Sequence, residues 1–142
     1  MCGICGVFGR PDRDAVERML ATLHHRGPDD QFVVAGDAFV MGAARLSIMD
    51  VPGGRQPLAN EDGTVTASQN GEIYNFPVLR QQLIANGHRL ATRTDTEVLP
   101  HLWEEHRTRL PEAIDGMFAV AVWDASSRTG LLARDRVGKK PL

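Results

Sequence analysis

Two cysteines among 142 residues are too few for a disulfide framework, and their scarcity fits a reducing compartment. Long apolar runs are also missing. The longest, residues 117–123, falls far short of the ~20 residues that cross a bilayer, and the N-terminus has neither a basic region nor an extended apolar stretch. A cytoplasmic protein without a membrane partner is the expectation. Neither sign of charge dominates, with 16 Lys and Arg against 18 Asp and Glu, and no block of like charge occurs, so a nucleic-acid partner is not expected either. Internal repeats and low-complexity segments are absent. What remains is enough for one domain: at this length folding buries roughly 68–70% of the unfolded surface, so a core forms without metal or disulfide staples.

The apolar pattern is that of an α+β protein. Residues 4–8 form a short strand, and Asp14 with Glu17 has capping-box spacing for a helix whose apolar face is Val16, Met19, Leu20 and Leu23, ended by Gly27-Pro28. Residues 32–35 and 38–48 read as strands around Gly36-Asp37, followed by the turn-rich stretch 51–58 and a strand over 65–69. Hairpins of this kind favour antiparallel sheet. Asn75 is placed to cap a second helix carrying Leu79 and Leu83 and ending at Gly87. Thr94 and Glu97 have capping-box spacing for a third, with Val98, Leu102 and His106 inward. Pro100 conflicts with an interior position, at about 3 kcal/mol, so a kink or a later start is expected there. Residues 117–123 are apolar on both faces and predict a central strand, with 131–134 pairing back after a turn.

The opening stretch MCGICGVFG leaves several readings of its cysteines. A redox C-x-x-C needs a strand before it and a helix after it, and nothing precedes this one. A zinc site would need two more ligands. His24 and His25, adjacent on a helix, diverge and are better read as imidazoles at a helix C-terminus, so no metal site is expected. Cys5 reads as a small buried hydrophobe. Cys2 differs, because removal of Met1 would leave thiol and α-amine on one residue. Their reference pKa values, about 8.5 and about 7.7–8.0, match nucleophile to base near neutrality without a histidine.

The stretches MCGICGVFG, HRGPDD (25–30), RLSIMD (45–50), GGRQPL (53–58), NGEIYN (70–75), TRTDTEVL (92–99), GMFAVAVWD (116–124) and RDRVGKKPL (134–142) follow one another in the order and spacing of a single family. Over its whole length the chain resembles the N-terminal glutaminase domain of glutamine-hydrolysing asparagine synthetases. These are class II glutamine amidotransferases with the N-terminal nucleophile hydrolase fold. The resemblance implies a four-layer αββα sandwich with antiparallel sheets, spanning residues 1–142. It also implies a site: Cys2 as nucleophile towards glutamine, the Asn70 side chain and the Gly71 N–H as oxyanion hole, Arg45 on the α-carboxylate, and Glu72 and Asp95 on the α-ammonium. Arg26 would join this set in support of the nucleophile, and GGRQPL would lie over the pocket.

Taken singly, each of these residues has a plainer reading. Arg45 could form a surface ion pair, Asn70-Gly71 a turn, Glu72 a solvated carboxylate and Asp95 a first-turn helix carboxylate. Departures from the family pattern are Ala44 before Arg45, Ser68-Gln69 before NGEIYN, and Pro100 in place of a helix former. The family also continues beyond KKPL, so a C-terminally incomplete domain is expected, with ATP and magnesium confined to a synthetase domain outside this sequence. A homodimer is an expectation for the longer protein. The competing function is a non-catalytic glutamine-binding or regulatory module.

Overall fold

Side-chain alternation along extended segments sorts the chain into two antiparallel sheets. In the computed structural model, which describes residues 2–50 and 52–142, strands β1 (Gly3–Phe8) and β2 (Asp30–Gly36) flank β3 (Phe39–Arg45). The second sheet has the order β4 (Leu58–Ala59), β5 (Val65–Ile73), β6 (Gly116–Asp124) and β7 (Thr129–Arg134). Gly3 pairs with Ala44 in the first sheet, and Asn70 and Gly71 pair with Ala119 and Phe118 in the second.

β6 is buried on both faces, as its uninterrupted apolar run predicts. Phe118, Val120 and Val122 join Val65 and Ala67 of β5 against the helical layer of α2 (Phe76–Ala85), α3 (Val98–His106) and α4 (Leu110–Ala113). Ala121 and Trp123 point the other way, towards Ile4, Phe8, Phe39 and Met41 of the first sheet. Trp123 lies between two phenylalanines there, with ring centroids 5.1 Å from Phe8 and 5.9 Å from Phe39. Helix α1 (Arg13–Thr22) covers the outer face of the first sheet, burying Val16 and Leu20 over Gly42. Helix, sheet, sheet, helix is the αββα order expected from the sequence.

Several local readings are corrected. The cap of α1 is Asp12, whose Oδ1 accepts from the Ala15 N–H at 2.8 Å; Asp14 lies inside the helix, and Met19 is exposed. Asn75 makes no side-chain cap; its amide joins the 113–115 loop instead, accepting from Asp115 N–H and donating to the Ala113 carbonyl. Glu97 does not reach back to Thr94 but accepts from the N–H groups of Ala91 and Thr92, pinning the loop before it. Pro100 falls in the first turn of α3, where the N–H it lacks would have had no partner within the helix, because Asp95–Glu97 form a separate 3₁₀ turn. The later start therefore holds. β5 runs four residues beyond the expected 69, through the segment that reads as an Asn-Gly turn.

Asp124, at the end of β6, collects donors from Trp103 Nε1 (3.0 Å), Ser126 and Arg107. Burial acts against its charge, but hydrogen bonds from Ser126, Trp103 and Ser127 outweigh it and hold the carboxyl well below the usual carboxylate range.

Candidate active site

Parity along β1 places Ile4 and Phe8 between the sheets and Cys5 on the opposite face, where its thiol lies 3.8 Å from the Val16 carbonyl. Burial pushes the Cys5 thiol up, away from the reactive thiolate. Cys2, just ahead of the strand, has its Sγ 3.9 Å from the Leu46 carbonyl and borders a cavity of about 130 Å³. The two thiols are unbonded and on different sides of the sheet, which removes the C-x-x-C pair as a unit. His25 caps α1 as expected, its Nδ1 lying 3.0 Å from the Thr22 carbonyl. The expected loss of Met1 concerns a residue outside the described ones, as does Val51 of the turn-rich stretch.

The cavity gathers side chains from both sheets and from the 3₁₀ turn. Cys2, Arg45, Asn70, Gly71, Glu72 and Asp95 all line it. Its size is below the ~300–1,000 Å³ of sites for drug-sized ligands, and suits something the size of an amino acid. Arg26 is the one expected site residue that does not line it. Arg26 packs instead against Gly3, the residue after Cys2, with Nη2 buried and without a hydrogen-bond partner.

Arg45, at the end of β3, is buried, and its Nη2 donates to the carbonyls of Met49 (2.7 Å) and Asp50 (2.9 Å). Gly54 approaches the same guanidinium so closely that a Cβ there would sit 2.6 Å from Nη2. That approach gives GGRQPL a physical reason: the loop is held on Arg45, and a side chain at 54 would displace the guanidinium. HRGPDD and RLSIMD meet as well, since Asp29 Oδ2 accepts from the Ser47 N–H at 2.7 Å and Asp29 N–H donates to the Arg45 carbonyl.

Gly71 is required by the neighbouring strand. A Cβ at 71 would lie 2.1 Å from the Met117 carbonyl oxygen and 2.7 Å from Phe118 Cα, so a side chain would push β5 off β6 just where Asn70 and Gly71 face the cavity. Asn70 is buried with Oδ1 unpartnered, while Glu72 is exposed at the rim. Asp95 is buried and well supplied: Oδ2 accepts from Gln69 Nε2 (2.6 Å) and Ile73 N–H (2.8 Å), and Oδ1 from Thr94 Oγ1 (3.3 Å).

Reading the sequence missed Gln56, Gln69, Thr94, Thr96 and Lys140, which also line the cavity. Gln69 stood out as a departure from an apolar position. Its Nε2 donates to Asp95 and its N–H to Gln56 Oε1 at 2.7 Å, while its Oε1 is buried without a hydrogen-bond partner. Lys140 is brought there by Asp135, which accepts from the N–H groups of Lys139 (2.7 Å), Lys140 (3.0 Å) and Phe118 (3.2 Å). Burial disfavours the Asp135 charge, yet these backbone donors prevail and keep its carboxyl below the usual range.

An antiparallel αββα sandwich whose cavity is lined by a cysteine just ahead of the first strand is the arrangement of the glutamine amidotransferase class. The chain belongs to the glutamine amidotransferase domain family, whose match extends over residues 1–142. It is similar to asparagine synthetase (glutamine-hydrolyzing) 2 of Arabidopsis thaliana, at 40% identity over 147 residues covering 100% of this chain and 25% of that protein. It is also similar to asparagine synthetase (glutamine-hydrolyzing) 3 of Bacillus subtilis, at 40% identity covering 99% of this chain and 24% of that one. The chain thus spans about a quarter of the length of these relatives. Among solved structures, glutamine phosphoribosylpyrophosphate amidotransferase from B. subtilis shares the fold, with a TM-score of 0.74 at 20% identity over 95% of this chain and 37% of that one. Among the described residues, no helix is long and apolar enough to cross a membrane.

Proposed function

We propose that this chain is the glutaminase portion of an asparagine synthetase, hydrolysing glutamine to glutamate and ammonia with Cys2 as nucleophile. The observation that carries this reading is the convergence of Cys2, Arg45, Asn70, Gly71 and Asp95 on one small cavity. With Met1 removed, the Cys2 α-amine takes the thiol proton as Sγ attacks the side-chain carboxamide carbon. Asn70 Nδ2 and the Gly71 N–H donate to the oxyanion that develops. The proton is passed to the departing nitrogen, ammonia leaves, and water then cleaves the γ-glutamyl thioester to release glutamate and restore the thiol.

Recognition uses the opposite charges of one zwitterion. Arg45 receives the α-carboxylate, and Asp95 and Glu72 receive the α-ammonium. Asp95 fits its part because three protein donors occupy three of its about four acceptor sites and leave one. Ammonia would pass to a synthetase domain outside these 142 residues, where ATP and magnesium would activate aspartate in the cytoplasm. Residues 1–142 contain no G-x-x-x-x-G-K-[ST] phosphate loop.

The test is to incubate the purified chain with labelled glutamine, aspartate, ATP and magnesium. Glutamate should form without asparagine or AMP, Cys2→Ala should lower turnover by on the order of 10⁶-fold, and an electrophilic glutamine analogue should label Cys2 and spare Cys5. A folded, Met1-processed protein that makes no glutamate would be a glutamine-binding module instead.

A further inference from the structure

On the outer helical layer, away from the cavity, four side chains from three separate stretches meet. Glu61 comes from the turn between β4 and β5, His88 from the loop after α2, and His101 and Glu104 from successive turns of α3. One nitrogen or carboxylate oxygen from each lies within 4.8 Å of the others. We propose that Glu61, His88, His101 and Glu104 bind one divalent transition-metal ion, with zinc the best match.

The decisive residue is His101. It is 1% exposed, yet neither ring nitrogen has a hydrogen-bond partner, and Glu104 Oε2 beside it is buried and unpartnered too. Burying such groups without partners is costly, so something must complete them. The carboxylates do not do so alone. His101 Nδ1 lies 3.2 Å from Glu61 Oε2 and 3.7 Å from Glu104 Oε2, and His88 Nδ1 lies 3.4 Å and 3.7 Å from oxygens of the same two residues. A charge-assisted hydrogen bond would draw these atoms to about 2.7–2.9 Å. The observed 3.2–3.7 Å spacings are instead of the order of the ~3.3 Å edge of a tetrahedron whose bonds are ~2.0–2.1 Å, with all four donor atoms within 4.8 Å of one another and Glu61 facing His101 with Oε2 and His88 with Oε1.

Donor type narrows the ion. Two imidazoles and two carboxylates suit zinc and its transition-series neighbours, whereas magnesium and calcium prefer oxygen throughout. Charge agrees, since two carboxylates offer two negative charges to a divalent cation. The ligands are held from outside as metal sites require. The Arg89 N–H donates to Glu61 Oε1 at 2.6 Å, and Glu105, which approaches His88 Nε2 at 3.4 Å, accepts from Asn86 Nδ2 at 2.8 Å. The ion would clasp two loops to α3, the helix that follows Asp95.

The full chain, stripped with a chelator and titrated with zinc sulfate, should take up one equivalent by calorimetry and gain thermal stability as zinc rises. His88→Gln and His101→Gln should each weaken binding by at least about 100-fold, more than outer-shell changes usually cause, while the exposed-residue control His24→Gln should not. Cobalt substitution should give tetrahedral d–d bands without thiolate charge-transfer bands. Folded protein without saturable zinc uptake would overturn the proposal, as would unchanged uptake in His88→Gln, a loop variant that does not depend on packing at His101. Thiolate bands would place the ion at the cysteines and overturn it equally.

Discussion

At Asp95 three protein donors converge on one buried carboxylate, whereas at His101 two buried ring nitrogens have no hydrogen-bond partner. Both residues lie in or just before α3, two turns of chain apart, and both are sealed from solvent. The difference teaches how a buried polar group relates to its ligand. A satisfied group keeps its position before anything binds and so makes a wall of fixed shape, while an unsatisfied one takes its final arrangement from what arrives. The first arrangement suits discrimination of a small zwitterion. The second suits capture of an ion.

The largest effects should come from breaking the preformed wall. Asn70→Ala is expected to lower kcat for glutamine by about 10²–10³-fold with little change in KM. Arg45→Ala should act mainly on KM, at a cost of about 2–5 kcal/mol for losing one partner of a buried charge pair, and should also free the loop carbonyls of Met49 and Asp50. Steady-state assays separate the two, and an unchanged KM in Arg45→Ala would remove the carboxylate role.

Asp95→Asn sharpens the contrast in stability. With its amide oxygen on Gln69 Nε2 and the Ile73 N–H, the Asn NH2 faces Thr94 Oγ1 and two charge-assisted bonds become neutral ones, so urea unfolding should show a loss of about 1–3 kcal/mol. Asp124 supplies the matching pH test. Its folded pKa is depressed, so the unfolded chain binds the proton more readily; the stabilisation is complete above about pH 4 and is lost as pH falls towards the folded value. Thermal unfolding followed in acid should fall steeply below about pH 4 in the parent and less steeply in Asp124→Asn. The smallest effect is expected at His101. In zinc-free protein His101→Leu removes two unpartnered nitrogens and should change stability by less than about 1 kcal/mol. A loss equal to that of Asp95→Asn would erase the distinction.

The lining residues Cys2, Arg45, Asn70, Gly71, Glu72 and Asp95 were legible because they sit in words that recur in a fixed order. Gln56, Gln69 and Lys140 were not, since each works through partners far along the chain: Gln69 through Asp95, Lys140 through the loop organised by Asp135. β5 was read short for a related reason. Asn-Gly signals a turn locally, and only the close approach of β6 to Gly71 keeps the segment extended. The His101 cluster is not legible in the sequence because its residues are spread over three elements with no motif spacing, and the adjacent pair His24 and His25 lies elsewhere.

The packed rings of Phe8, Trp123 and Phe39 act at a distance from where they sit. Cys2 adjoins one sheet and Asn70 belongs to the other, so in the proposed reaction the span between the sulfur and the donors at Asn70 and Gly71 is inherited from the thickness of the apolar layer between the sheets. That layer is a gauge block. A misplacement of 1 Å can cost about 10²-fold in rate, which makes the tolerance of the reaction a property of aromatic volume in the core. Drift in those three rings would detune the chemistry while leaving every residue of the cavity unchanged.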